Sequence, residues 1–166
     1  MVVSRTRVDE TYIRIKGEWC YLYCGIDEDG NLVDVRLSKK RDMKGTKAFF
    51  AQAKAVADDV PEQVQTDGLT SYPRAIKEEL GEEVKHQILP CTANPIEQSH
   101  RGIKQRYYPM LGFGEFEATQ RFCQAFDEVR NFLRPRDQMG GYVSLNERRQ
   151  NFQSKISELK NLFLAA

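Results

Sequence analysis

The chain has 166 residues, 40% hydrophobic and 30% charged, enough for one domain with a core of its own. Its net charge of +1 hides a gradient: residues 1–97 hold 14 basic against 17 acidic side chains, and residues 98–166 hold 11 against 7. No apolar run nears the ~18 residues of a helical bilayer span, and the start, MVVSRTRVDETY, is charged too early for a secretory leader. Both absences favour the cytoplasm, with no membrane partner. The four cysteines, Cys20, Cys24, Cys91 and Cys123, lack the CxxC or histidine pairing of a zinc site and read as buried reduced thiols.

In chain order, residues 5–15 alternate and are β-branched, which predicts a strand, broken at Gly17. Residues 18–27 predict a second, aromatic strand. The turn at 28–31 contains Asp29-Gly30, a hairpin signal, and residues 32–38 complete an antiparallel meander. Asp42 caps a helix over about 43–58 with Phe49, Ala53, Val56 and Ala57 on its apolar face. A short strand at 62–66 delivers Asp67 next to Gly68. A helix over 71–80 starts near Pro73, Gly81 stops it, and residues 83–89 predict a fifth strand.

Asn94 and Pro95 then open a helix that Pro109 ends, and residues 111–114 make an apolar turn. The helix over 115–133 carries Phe122, Phe126, Val129 and Leu133 at helical spacing. Residues 136–143 form a loose connection. Asn146 is the expected cap of a last helix with Phe152, Ile156, Leu159 and Phe163 along one side. Hairpins followed by helix crossovers predict an α/β domain with a mixed sheet flanked by helices.

The stretch 91–109, CTANPIEQSHRGIKQRYYP, carries the sharpest chemistry. On a helix, Glu97, Arg101 and Lys104 fall at i, i+4 and i+7 and share a face. An acid able to hold a metal ion then lies in line with two cations able to hold phosphate. Asp9 sits within the first strand, where a charge is costly unless paired or functional, and its neighbour Glu10 must face the other way. Asp67 follows the fourth strand, at the kind of strand end where ligands gather. Oxygen-rich carboxylate clusters suit hard ions such as Mg²⁺ or Mn²⁺. With 24 acidic residues in the chain, spacing leaves another reading open: Asp9 and Asp67 edge the sheet or cap turns, and Glu97 answers a helix dipole.

Three segments go beyond spacing. VDETYIRIKGEWCYLYCGIDEDGNLVDVRLSKKRD, QTDG and NPIEQSHRGIKQRYYPMLGF closely resemble the catalytic domain of insertion-sequence family six transposases, over roughly residues 8–116. The resemblance implies a ribonuclease H-like DDE fold with C-terminal helices. It implies Asp9, Asp67 and Glu97 as catalytic acids and ligands of Mg²⁺ or Mn²⁺, two ions in all, and Lys104 as the helix lysine. The implied reaction is metal-dependent cleavage and strand transfer on transposon-end and target DNA, by a homo-oligomer. The implied organisation is a catalytic domain over 1–134 and a helical extension over 135–166. An N-terminal DNA-binding domain is expected to be absent, since Asp9 follows Met1 by only eight residues. The alternatives are a truncated or domesticated DNA-binding remnant and a ribonuclease H-like nuclease.

Arg101, Lys104, Arg106, His100 and Tyr107 are the expected DNA contacts, with His100, three residues after Glu97, able to reach either a phosphate or the metal site. His86 is read as structural. Trp19, Tyr21 and Tyr23 share a strand face and are read as packing rather than base stacking. Lys39, Lys40 and Arg41 form a basic turn facing phosphate or water.

Overall fold

The computed structural model describes residues 5–90, 95–134 and 143–165. Five strands form its sheet: β1 (Arg5–Ile15), β2 (Glu18–Asp27), β3 (Leu32–Ser38), β4 (Gln63–Thr66) and β5 (Lys85–Ile88). The helices are α1 (Met43–Ala57), α2 (Tyr72–Glu79), α3 (Pro95–Tyr107), α4 (Phe116–Leu133) and α5 (Leu145–Ala165). The chain divides into two compact units, Met1–Asp127 and Glu128–Ala166.

In the first unit the strand order is β3-β2-β1-β4-β5. The meander β1–β2–β3 is antiparallel, and β4 and β5 add in parallel on the other side of β1. This is the expected ribonuclease H-like mixed sheet. Lys16 (φ 50°) and Gly17 (φ 80°) both take positive φ between the paired residues Ile15 and Glu18, the backbone that a two-residue hairpin needs. Asp42 caps α1 as expected, its Oδ1 accepting from the Gly45 N–H at 2.8 Å. Strand β5 is shorter than its apolar run, because β4 offers it only four paired positions. The Asn94 cap and Cys91 lie outside the described residues.

Successive residues of β1 face opposite sides of the sheet. Val8 enters a cluster with Phe49, Phe50, Tyr72 and Ile76 of α1 and α2. Ile13 and Ile15 enter a second cluster with Ile103 and Tyr107 of α3 and Cys123 of α4. Cys20, Cys24 and Cys123 are buried thiols outside any disulfide, as read from the sequence.

Two expected helix faces are corrected. On α1, Phe49 and Ala53 are buried but Val56 and Ala57 are exposed, because they lie in the last turn at the surface. On α4, Thr119, Cys123 and Asp127 are buried rather than the predicted phenylalanine stripe. Phe122 and Phe126 instead stack along the rim, Phe122 against Phe113 and Phe126 under the Arg106 guanidinium. The β2 aromatics pack as expected: Tyr23 is fully buried, Tyr21 packs against the same cluster, and the exposed Trp19 lies edge-on to Tyr12.

The β4 edge of β1 is paired only in part. Its ladder with β4 runs from Arg5 to Arg7. At the other end, the Phe113 N–H donates to the Arg14 carbonyl and the Lys16 N–H donates to the Phe113 carbonyl, both at 2.8 Å. Between these two attachments, β1 has no strand neighbour on that side among the described residues. Asp9 lies in this gap.

In the second unit Ser144, not Asn146, caps α5. Its hydroxyl and backbone N–H both donate to the Glu147 carboxylate at 2.9 Å, and the Glu147 N–H returns a bond to the Ser144 hydroxyl. Lys155 of α5 donates to the carbonyls of Phe132 and Arg134 at 2.6 and 3.0 Å, closing the C-terminal end of α4. No described helix is long and apolar enough to cross a membrane.

Candidate active site

Each carboxylate of the site arrives on a different element. Asp9 stands in β1, opposite Cys24 of β2. Asp67 follows β4 by one residue. It is held by a tight turn in which Gly68 takes φ 94° and the Asp67 Oδ1 accepts from the Leu69 N–H at 3.2 Å. A Cβ at Gly68 would press on Ile88 at 3.0 Å, in a φ that other residues rarely adopt. Thr66 supports this turn, accepting from the Gly68 N–H and sharing a 2.8 Å hydrogen bond with the His86 ring; His86 is thus a structural partner here.

Glu97 sits in the first turn of α3, where the helix dipole favours an acid. The amphipathic pattern of α3 fixes which face meets the sheet. Ile96, His100, Ile103 and Tyr107 form its buried stripe. Glu97, Arg101 and Lys104 form the adjoining stripe, with Glu97 and Arg101 exposed and Lys104 half-buried.

Two groups of possible ligand atoms result, each with all members within 4.8 Å of one another: Asp9, Glu97 and His100, and Asp9, Glu10 and Asp67. Asp9 belongs to both. Burial, then the charges of Asp67, Glu10 and Glu97, push its carboxyl up to about 7, against one accepted backbone bond from Glu10 that opposes the rise. Of the acids expected from the sequence, Asp9 lies close to Glu97 in one group and close to Asp67 in the other.

His100 and Tyr107 are placed differently from the expectation of DNA contact. His100 is 3% exposed and Tyr107 is 6% exposed, so neither ring is presented to a nucleic acid. Tyr107 stacks on Phe113. Burial and the nearby Lys104 cation lower the His100 pKa to about 4, so the ring is neutral at pH 7, and its Nε2 is buried with no hydrogen-bond partner. A neutral imidazole with an unused nitrogen beside two carboxylates has the chemistry of a metal ligand. The carboxylates of the two groups suit a hard divalent ion, and His100 adds a nitrogen donor to one group. The apolar stripe at 96, 100, 103 and 107 was readable as helical spacing and would have placed both rings inside. Arg106 is exposed, and Lys104 lies 6.0 Å from the centre of the Tyr12 ring.

Arg41, placed by the sequence in a basic turn facing phosphate or water, is instead tied to the acids. Its guanidinium bonds the Glu10 carboxylate and approaches Asp67 Oδ2 at 3.5 Å. Glu10 faces away from α3, as alternation requires, and accepts a 2.5 Å bond from the Tyr72 hydroxyl. Of the neighbouring lysines, Lys39 lies over the Phe116 ring.

A central β1 flanked on one side by an antiparallel meander and on the other by parallel strands, with acids at the β1 gap and the β4 end, defines an α/β domain of the ribonuclease H-like class. Solved structures share this fold. The HTLV-2 integrase catalytic core domain in complex with magnesium, in its trimeric form, superposes with a TM-score of 0.51 at 19% identity, covering 63% of this chain and 69% of that one. The simian T-cell lymphotropic virus intasome in complex with a PP2A regulatory subunit gives 0.59 at 13% identity, covering 87% and 60%.

The model of a family described as a DDE domain matches residues 3–136. The chain belongs to this family, the DDE transposases of insertion-sequence family six. The transposase of the insertion sequence-like element IS431mec from Staphylococcus aureus is 38% identical over 104 residues, 60% of this chain and 46% of that protein. The transposase of IS257 in transposon Tn4003, also from Staphylococcus aureus, matches equally. The chain thus spans about half the length of these relatives. An uncharacterized protein of Yersinia pseudotuberculosis, pYV0051, is 33% identical over 75 residues, 44% of this chain and 70% of that one.

Proposed function

We propose that this domain breaks and rejoins DNA phosphodiester bonds at the ends of an insertion sequence. Asp9, Asp67 and Glu97 are its catalytic acids, and two Mg²⁺ or Mn²⁺ ions are its cofactors. The observation that carries this reading is the membership of Asp9 in both ligand groups, with Glu97 and His100 in one and Glu10 and Asp67 in the other. A carboxylate shared in this way suits a pair of ions.

Such ions, when bound, activate the attacking oxygen and stabilise the leaving one. The protein's own part is to hold ligands and phosphate. Asp9 gives up its proton as a cation arrives. The neutral His100 offers a nitrogen beside Asp9 and Glu97. Arg101, Lys104 and Arg106 on or beside the exposed stripe of α3 supply cations to the DNA backbone. No side chain is required as a covalent nucleophile, since water and then a DNA 3′-hydroxyl can serve.

Residues 1–134 are the catalytic domain and 135–166 a helical extension. The domain acts in the cytoplasm as a homo-oligomer on transposon-end and target DNA. The intasome among the structures of like fold supports an assembly of this kind.

The test is strand transfer on end-bearing oligonucleotides with Mg²⁺ or Mn²⁺. Asp9→Asn, Asp67→Asn and Glu97→Gln each lower the rate by about three orders of magnitude or more, with the circular dichroism of the fold retained. Retained activity in any one variant removes that residue from the site. Cleavage without joining would favour a nuclease instead.

A further inference from the structure

Glu10 is the one acid of the site cluster that the proposed chemistry leaves unused, and its surroundings are the most constrained. Its side chain is 2% exposed, whereas that of Asp67 is 22% exposed. A carboxylate so deeply buried is costly unless its charge is matched. Two partners match it: the Tyr72 hydroxyl at 2.5 Å and the Arg41 guanidinium. Tyr72 belongs to the apolar cluster under α1 and α2. Burial first, then the charge of Glu10, hold its pKa well above the ordinary tyrosine value, so it remains a donor. Glu10 is therefore pinned from the core side, and Arg41 is pinned by Glu10.

The same guanidinium reaches Asp67, but more loosely, at 3.5 Å between Nη2 and Oδ2. The division of one cation between two acids has a consequence. An arginine bound fully to Asp67 would block that carboxylate from a metal ion. An arginine absent altogether would leave Glu10 buried without its counter-charge.

We propose that Glu10 and Arg41 are a positioning pair for Asp67. Glu10 takes up most of the Arg41 charge, so Asp67 is steered by a cation that does not capture it and stays available to a divalent ion. The pair acts through Asp67 and touches no substrate. The inference rests on the reading that Asp9, Asp67 and Glu97 hold divalent ions.

The experiment is Mn²⁺ titration of the full chain by calorimetry, with thermal unfolding run alongside. Asp67→Asn is the control for metal binding. Glu10→Gln keeps the shape and the Tyr72 contact but frees Arg41 to close on Asp67; Mn²⁺ binding weakens about tenfold. The double variant Glu10→Gln/Arg41→Ala removes both the buried charge and its counter-ion; Mn²⁺ affinity returns to within about threefold of the parent. A purely structural role for Glu10 gives no rescue, so a double variant as weak as the single one overturns the proposal. Unchanged affinity in Glu10→Gln overturns it too. If Asp67→Asn leaves Mn²⁺ binding intact, the metal reading itself fails, and the pair loses its role with it.

Discussion

The two halves of β1 carry the same alternating pattern and do different work. At Thr6 and Arg7 the strand is paired on both sides, and the even positions of this half, Thr6 and Val8, are buried toward α1 and α2. From Thr11 to Ile15 the buried positions are odd, Thr11, Ile13 and Ile15, and they face α3 and α4. The phase of burial changes over Asp9 and Glu10, both half-buried residues. The two acids stand at this change of phase, one on each face. The Glu10 side chain is buried and survives because the Tyr72 hydroxyl and the Arg41 guanidinium bond its carboxylate, while Asp9 lies in the stretch of strand edge that has no strand neighbour among the described residues.

The contrast is sharpest in a pair of substitutions. Ile13→Ala empties a fully buried site and lowers unfolding free energy by about 2–4 kcal/mol, read from urea denaturation. Asp9→Asn, four positions away, leaves folding intact at pH 5 and removes activity. Should Asp9→Asn unfold the domain as Ile13→Ala weakens it, the two halves are not distinct in the way described.

A smaller effect concerns pH. Asp9 ionises near 3.8 when unfolded and near 7 when folded, chiefly through burial and the adjacent acids. Between those values the folded state holds the extra proton, so this group's contribution to stability falls as pH rises from about 4 to about 7, and is constant beyond. In EDTA at pH 8, Asp9→Asn is more stable than the parent by about 1–2 kcal/mol, a figure reduced for partial solvent exposure. At pH 4 the two have equal melting temperatures. A parent protein equally stable at both pH values would show that Asp9 is no more constrained than the rest of the strand.

The smallest effect belongs to the α3 surface beside the gap. Lys104→Ala weakens DNA binding and lowers the slope of log affinity against log salt by about one. An unchanged slope would return Lys104 to its packing against Tyr12.

Much of this was legible beforehand, because most of it is local. Alternation gave β1, Gly17 gave the break after it, Asp29-Gly30 gave the next hairpin, and Asp42 gave the α1 cap. The family resemblance pointed to Asp9, Asp67 and Glu97, and their convergence follows from the strand order. What was not legible depends on distance along the chain. Arg41 meets Glu10 across 31 positions and Asp67 across 26, and a run of three basic residues has no local feature to single out the third. The α4 stripe failed for another reason. Thr119 and Asp127 are buried polar residues, so hydrophobic spacing pointed to the rim phenylalanines instead. The α5 cap went to Ser144 because Glu147 three residues on completes a reciprocal pair that Asn146 lacks.

The attachment of Phe113 to the end of β1 sets a mechanical constraint. Helix α3 begins with Glu97 near Asp9, and the chain beyond it is clipped to Arg14 and Lys16 by two main-chain bonds. The clip works only because Gly112, at φ 117°, runs within reach of the Arg14 carbonyl; a Cβ there would lie 3.1 Å from that oxygen. Helix and strand are thereby fastened like a ruler pinned at one end, and the pin determines how far along β1 the other end falls. A glycine beyond the far end of the helix thus holds the chain leaving α3 against the strand that carries Asp9.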